Sequence, residues 1–225
     1  MPTAIPIPDV ALMDNTDERT PLVIVLDRSG SMAGECINAL NSGLIALEKA
    51  LKNDPTTSTR GRIKVIQFGG ANDVSEDLWV DAMDFSAPTL VADGSTPTGA
   101  AIRAALKAIQ EQKDELKAAG ISYKRPILML MSDGVPSDAW EDAAEACRAA
   151  EAANKVTVFS IGVGNGADLG VLGRFSSRGA KLISSTQFND LFVWLSASVK
   201  AVSQTAKGQI AQLPPTDSWA SAGTN

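Results

Sequence analysis

Leu22-Val-Ile-Val-Leu26 is an aliphatic, largely β-branched run in which no polar residue takes the alternate positions. A strand with one wet face alternates; a run without alternation belongs to a strand covered on both faces. The run stops at Asp27-Arg-Ser-Gly-Ser31, and beyond it Ile37, Leu40, Leu44, Leu47 and Leu51 recur at steps of three and four. That spacing predicts one apolar stripe along a helix, halted by Asn53-Asp-Pro55. A buried strand feeding an amphipathic helix is the first half of a parallel crossover unit, and few architectures accept it.

The alternation recurs. Ile63 to Phe68 is expected as a second strand, and Leu78 to Phe85 as a shorter edge strand with Asp81 and Asp84 on its wet side. Ile102, Leu106, Ile109 and Leu116 predict a long helix closed by Gly120, followed by a buried strand from Pro126 to Met131 that ends at Ser132-Asp-Gly134. A helix rich in alanine and acids is expected from Asp138 to Ala153, with Glu141, Asp142, Glu145 and Glu151 forming a solvated face. Val156 to Val163 and Lys181 to Ser184 predict two more strands, and Phe188, Leu191, Phe192, Leu195 and Val199 a final amphipathic helix. The expected fold class is therefore α/β: a doubly wound, Rossmann-like, mostly parallel six-stranded sheet with helices on both faces and one antiparallel edge strand.

Such a domain is expected over residues 21–200, preceded by an arm over 1–20 and followed by a tail over 201–225 that is either disordered or pinned by Trp219. The 225 residues fit this single domain with appendages, at ~150 residues per domain. Histidine is absent, which removes Ser-His-Asp and Cys-His catalysis, His-ligated zinc and imidazole acid–base chemistry. Cys36 and Cys147 stand far from any second cysteine and are expected as reduced, packed thiols. A net charge of −6 without a basic block argues against nucleic acid or an anionic membrane surface as partner. The first twenty residues hold no basic, apolar leader, and no apolar run approaches the ~20 residues of a membrane span, so a soluble cytoplasmic protein is expected.

In doubly wound sheets, ligands bind beyond the carboxyl ends of the strands where the strand order reverses. Asp27, Ser29 and Ser31 follow the first strand, Asp133 follows the fourth, and Gly94-Ser-Thr-Pro-Thr-Gly99 leads into a helix. If the first and fourth strands are neighbours, all three loops meet. What converges is oxygen alone, and hard oxygen donors select Mg²⁺, Mn²⁺ or Ca²⁺. Alternation along an extended loop points Ser29 and Ser31 the same way, with Gly30 permitting the tight turn. Two carboxylates balance a divalent charge, but too few protein oxygens remain to fill six positions. Water or a partner's carboxylate must complete the shell.

Asp-x-Ser-x-Ser with a downstream threonine and a strand-ending aspartate resembles the metal-ion-dependent adhesion site of von Willebrand factor A domains, over about Pro21 to Val199. The resemblance implies direct coordination by Ser29 and Ser31, and a threonine ligand at Thr96, with Thr98 the weaker candidate. It implies that Asp27 and Asp133 act directly or through waters, and that a partner protein's Asp or Glu supplies the sixth ligand. It further implies that recruiting Thr96 is sensed at the last helix, Phe188 to Val199. LDRSGSM, GSTPTGAAI, LMSDGVPSD and QLPPTDSW together look like the TerY branch of bacterial stand-alone domains, tied to tellurite resistance and stress operons. That likeness implies a PP2C-type phosphatase and a protein kinase of the same operon as partners.

Rival patterns are weaker. Gly162-Val-Gly-Asn-Gly-Ala167 satisfies a loose dinucleotide pattern, but no acid stands ~20 residues onward, which favours a structural glycine turn. An aspartate-nucleophile phosphatase resembles Asp-x-Asp, whereas Ser29 replaces the second acid and leaves no general acid. An EF-hand start fails at Asn38, where a bidentate glutamate belongs. The expected function is a non-enzymatic, metal-dependent interaction module; the alternatives are metal-dependent phosphate-ester hydrolysis and a scaffold acting through arm and tail. Trp79, Trp140 and Trp194 are expected to pack, with Trp140 able to rim the metal face.

Overall fold

The aliphatic run lies inside β1 (Thr20–Asp27), buried along its whole length, in a computed structural model that describes residues 12, 15–71, 73–164, 166–206, 209, 211–216 and 219–220. β1 pairs in parallel with β2 (Gly61–Phe68) on one side and β5 (Ile127–Ser132) on the other, setting Leu22 opposite both Ile63 and Ile127. β6 (Thr157–Val163) and β7 (Ala180–Ile183) continue the parallel sheet beyond β5. Two short antiparallel pieces, β3 (Val74–Glu76) and β4 (Val80–Asp81), both pair with β2. The strand order is β3-β2-β1-β5-β6-β7, with β4 beside β2.

Because side chains of a strand alternate between faces, β1 serves two cores. Leu22, Ile24 and Leu26 pack with α1 (Glu35–Asn53) and α6 (Phe188–Gln204). Val23 and Val25 face the other way, against α3 (Thr98–Ala118) and α4 (Glu141–Ala152). Removing each such aliphatic side chain from water contributes about 1.5–3 kcal/mol, and covering both faces explains why the run never alternates. The expected doubly wound α/β fold is the fold observed.

Local differences have physical causes. Of the antiparallel edge expected over Leu78–Phe85 only β4 forms, and β3 pairs with β2 ahead of it, so the sheet has seven strands among the described residues rather than six. Asp81 does not face water as expected; it is 4% exposed and lies 3.1 Å from Arg62 and 3.2 Å from Arg19. Two guanidiniums make that burial tolerable for a carboxylate. A short helix, α2 (Pro55–Arg60), begins where Asp54 caps the Thr57 amide at 2.8 Å and proline occupies the first turn. Its six residues carry no apolar period to betray it.

Helix α4 starts at Glu141 rather than at Asp138, and its acids are not all solvated as expected. Glu151 is 8% exposed and accepts from the amides of Val158 at 3.0 Å and Ser177 at 2.7 Å. A second short helix, α5 (Leu169–Leu172), follows the glycine turn after β6.

Most of the arm expected over 1–20, namely residues 1–11, 13 and 14, lies outside the described residues, as do parts of the tail expected over 201–225. Within the tail, Trp219 is fully buried, 5.1 Å from the Trp194 ring, and Trp194 Nε1 donates to the Pro214 carbonyl at 2.8 Å. No described helix is long and apolar enough to cross a membrane.

Candidate metal centre

β1 and β5 are neighbours at the centre of the sheet, so their carboxyl ends deliver Asp27 and Asp133 to one place. Asp27 is wholly buried. One carboxylate oxygen accepts from the Ser29 amide at 2.8 Å, and the other accepts from the Ser132 hydroxyl. Burial pushes its carboxyl above the ordinary carboxylate value; the Ser132 and Ser29 hydroxyls and the Ser29 amide oppose that, and the charge of Asp133 adds to it.

Ser29 is extended, but Gly30–Met32 coil into a single 3₁₀ turn, so the loop is not the extended segment expected. The two serines nevertheless end side by side, with their hydroxyl oxygens 3.0 Å apart. Ser31 then donates to Asp133 at 2.8 Å. Burial raises the Asp133 carboxyl, with the Ser31 hydrogen bond opposing.

The threonine loop is drawn in from a third direction. The Gly30 amide donates to the Gly94 carbonyl at 3.1 Å. Gly94 has φ +74°, and a Cβ there would stand 2.5 Å from the Gly70 nitrogen, so only glycine allows this approach. The Ser31 hydroxyl and the Thr96 hydroxyl and methyl each lie 3.7 Å from the point where a Cβ on Gly134 would sit, which places Thr96 close to Ser31. Thr98 is fully buried and turns its hydroxyl back to the Thr96 carbonyl at 3.4 Å. Of the two candidate threonines, Thr96 is the one beside the serines.

The structure thus brings Ser29, Ser31, Thr96 and Asp133 together, with Asp27 directly beneath them. Ser29 is 1% and Thr96 9% exposed, while Ser31 is open to solvent, so the cluster has a closed floor and an open side. No three Asp, Glu, His or Cys side chains gather anywhere among the described residues, so a cation here would depend on hydroxyls. The donor set fits one. Octahedral Mg²⁺ with oxygens at 2.0–2.1 Å sets adjacent ligands about 2.9 Å apart. The spacings of 3.0 Å between the serines and 2.8 Å from Ser31 to Asp133 are hydrogen-bond distances, and they already bring these oxygens close enough to share one small divalent ion. Asp27, with both oxygens engaged, would neutralise charge from behind rather than bond directly.

Three residues of the site carry no signal in the sequence pattern. Ser132 orients Asp27, while Ser137 and Asp138 hold the threonine loop. Ser132 adjoins Asp133 in sequence, but a hydroxyl one residue before a candidate ligand has nothing to distinguish it. Asp138 falls in the expected helix and is instead bound to another one. Cys36 is half-buried near this face; burial, with Asp133 and Glu35 nearby, pushes its thiol up.

A parallel α/β sheet with an oxygen-only cluster at the ends of adjacent strands defines a class of domain, and the sequence profile of the von Willebrand factor type A domain matches residues 22–193. The chain belongs to that family. No curated protein matches it. Among solved structures, proximal thread matrix protein 1 from the mussel byssus, with a zinc-occupied MIDAS motif, is similar at 15% identity and TM-score 0.54, over 83% of this chain and 49% of that one. The pilus adhesin SpaC from Lactobacillus rhamnosus GG is similar at 14% identity and TM-score 0.62, over 83% of this chain and 32% of that one. The manganese-loaded TRAP protein of Plasmodium vivax is similar at 17% identity and TM-score 0.51, over 78% of this chain and 74% of that one. At these identities the likeness is one of fold, and this chain spans half or less of the mussel and Lactobacillus proteins.

Proposed function

We propose that this domain is a non-enzymatic, metal-dependent protein-interaction module. Ser29, Ser31, Thr96 and Asp133 hold a divalent ion, Asp27 balances its charge, and an Asp or Glu of a partner protein fills the open position. Support comes above all from the hydroxyl–carboxylate cluster, closed beneath and open on one side, in which Ser31 stands 3.0 Å from Ser29 and 2.8 Å from Asp133. Mg²⁺, Mn²⁺ or Ca²⁺ suits a donor set made of oxygen alone. The zinc-bearing mussel protein and the manganese-loaded Plasmodium protein are similar in fold and carry divalent ions.

Asp27 also bears on the choice against phosphate-ester hydrolysis. A nucleophilic aspartate must reach substrate, whereas Asp27 is fully buried with both oxygens occupied. The chain has no histidine to act as base. The TerY-like motifs extend the reading to a cytoplasmic stress-response system linked to tellurite resistance, with a PP2C-type phosphatase and a protein kinase of the same operon as partners.

The test is a pull-down of those two proteins by the full chain, with Mg²⁺ and again with chelator. Capture that is lost on chelation and in Asp133→Ala supports the module. Capture indifferent to both, or Asp27-dependent turnover of a generic phosphoester, overturns it.

A further inference from the structure

Helix α3 begins beside the site without a cap of its own: Pro97 stands at its N-cap position and gives no side-chain hydrogen bond. The first amides of a helix have no partner within it and need an acceptor. Here they find one far along the chain. Asp138 accepts from the Gly99 amide at 2.9 Å and from the Ala100 amide at 2.7 Å. Its neighbour Ser137 receives the Thr96 amide on its hydroxyl at 3.0 Å and donates its own amide to the Thr96 carbonyl at 2.9 Å. Arg103, on the first turns of α3, donates to the Ala139 carbonyl at 3.1 Å and to Asp142 at 2.8 Å.

Packing says the same independently. A Cβ on Gly99 would stand 2.4 Å from the Ala139 carbonyl oxygen and 2.8 Å from the Trp140 Cα, so the two backbones touch where any side chain would part them. The segment that makes these contacts is the one that begins at Asp133. Thr96 and Asp133 therefore sit on loops that are fastened to each other.

We infer that Asp138 is a positioning residue for the metal centre: by capping Gly99 and Ala100 it fastens the Thr96 loop to the Asp133 loop, so that Thr96 and Asp133 reach the ion as one preset unit. The inference rests on the metal-binding reading above. A carboxylate suits the role better than a neutral acceptor, because the positive end of α3 points at it. Left uncapped, that end would add positive charge beside a cation.

Calorimetric titration with MnCl₂ tests it, using the full chain and its Asp138→Ala, Asp138→Asn, Thr96→Ala and Asp138→Ala/Thr96→Ala forms. Residues that orient metal ligands typically contribute about 10-fold to affinity, so Asp138→Ala should bind Mn²⁺ about 10-fold more weakly, with Asp138→Asn between it and the wild type. In the Thr96→Ala background the same substitution should change affinity by less than about 2-fold, since its effect passes through Thr96. A role in stability alone would lower the melting temperature and leave Mn²⁺ affinity intact, or cost the same in both backgrounds; either result overturns the inference. Should Asp138→Ala fail to fold, Asp138→Asn and Ser137→Ala carry the same comparison. Wild-type protein that binds no Mn²⁺ sinks the metal reading itself, which is a different outcome from wild type and variant binding alike.

Discussion

The Ser31 hydroxyl donates to the Asp133 carboxylate at 2.8 Å, across a separation of 102 residues. The bond exists because β1 and β5 end side by side, and it ties the two loops on the open side of the cluster. A cation held by both oxygens would link the same two loops through metal bonds, with the Ser31 hydroxyl keeping its proton. A ligand that binds only the folded state adds about 2.7 kcal/mol at a hundredfold excess over its Kd. At about 2–4 °C per kcal/mol for a chain of this size, Mn²⁺ should raise the melting temperature by about 5–11 °C. Ser31→Ala and Asp133→Asn should abolish most of that rise in differential scanning calorimetry; an undiminished rise in either places the ion elsewhere.

Asp27 supplies the converse test. Burial lifts its carboxyl in the folded state, so the folded chain holds that proton more tightly than the unfolded chain. Its contribution to stability is then fully present below the ordinary carboxylate value and is lost as pH rises through the raised one. Without metal, Asp27→Asn should be more stable than the wild type at pH 7, and the advantage should shrink as pH falls into the carboxylate range. Adding Mg²⁺ should reverse the order, because the cation makes the charge useful. A metal-free variant less stable than the wild type at neutral pH would show that the hydrogen bonds from Ser29 and Ser132 outweigh desolvation.

Glu151 titrates with the opposite sign. Burial by itself raises its carboxyl, but the amides of Ser177 and Val158 and the charge of Arg178 outweigh burial and hold it below its ordinary value. Stability from this group is present above the unfolded value, about 4.3, and is lost as pH falls through the depressed one. Arg178 is 48% exposed, so the ion pair itself contributes little. The charge-assisted bonds to the two amides carry most of the effect, and Glu151→Gln should cost about 2 kcal/mol at pH 7. Chemical denaturation at pH 7 and pH 3 checks it: the deficit should nearly vanish at the lower pH, whereas an equal deficit at both would mean packing, not charge.

The sheet was legible because its central strands are buried on both faces, a demand that only uninterrupted aliphatic runs meet. The edge was not. At β3 and β4 pairing is short and one-sided, and Asp81 looks like a wet residue until Arg19 and Arg62 are seen closing over it. In the site, Asp27, Ser29, Ser31 and Asp133 could be found because they follow strands directly. Asp138 could not, because its role is set by helix amides that lie 38 and 39 residues earlier in the chain. Likewise Glu151 matched the spacing of a solvated acid, and only the register of β6 and the turn at Ser177 turn it inward.

Gly43 separates two effects that usually act alone. It lies within α1, where replacing glycine by alanine normally stabilises a helix by about 1 kcal/mol. Here a Cβ would stand 2.7 Å from the Phe192 ring and 2.9 Å from the Phe188 Cβ, both on α6. A ring edge can give way, but a Cβ is fixed to its backbone, so the two helices must move apart. Overpacking of this kind costs about 1–3 kcal/mol, enough to cancel the propensity gain and exceed it. Gly43→Ala should therefore lower the melting temperature by a few degrees, while Ser42→Ala, an exposed neighbour on the same helix, should leave it nearly unchanged. A stabilised Gly43→Ala would mean that α6 can shift away from α1 at little cost, and a helix so loosely held would be free to respond when the loops beside Ser31 rearrange.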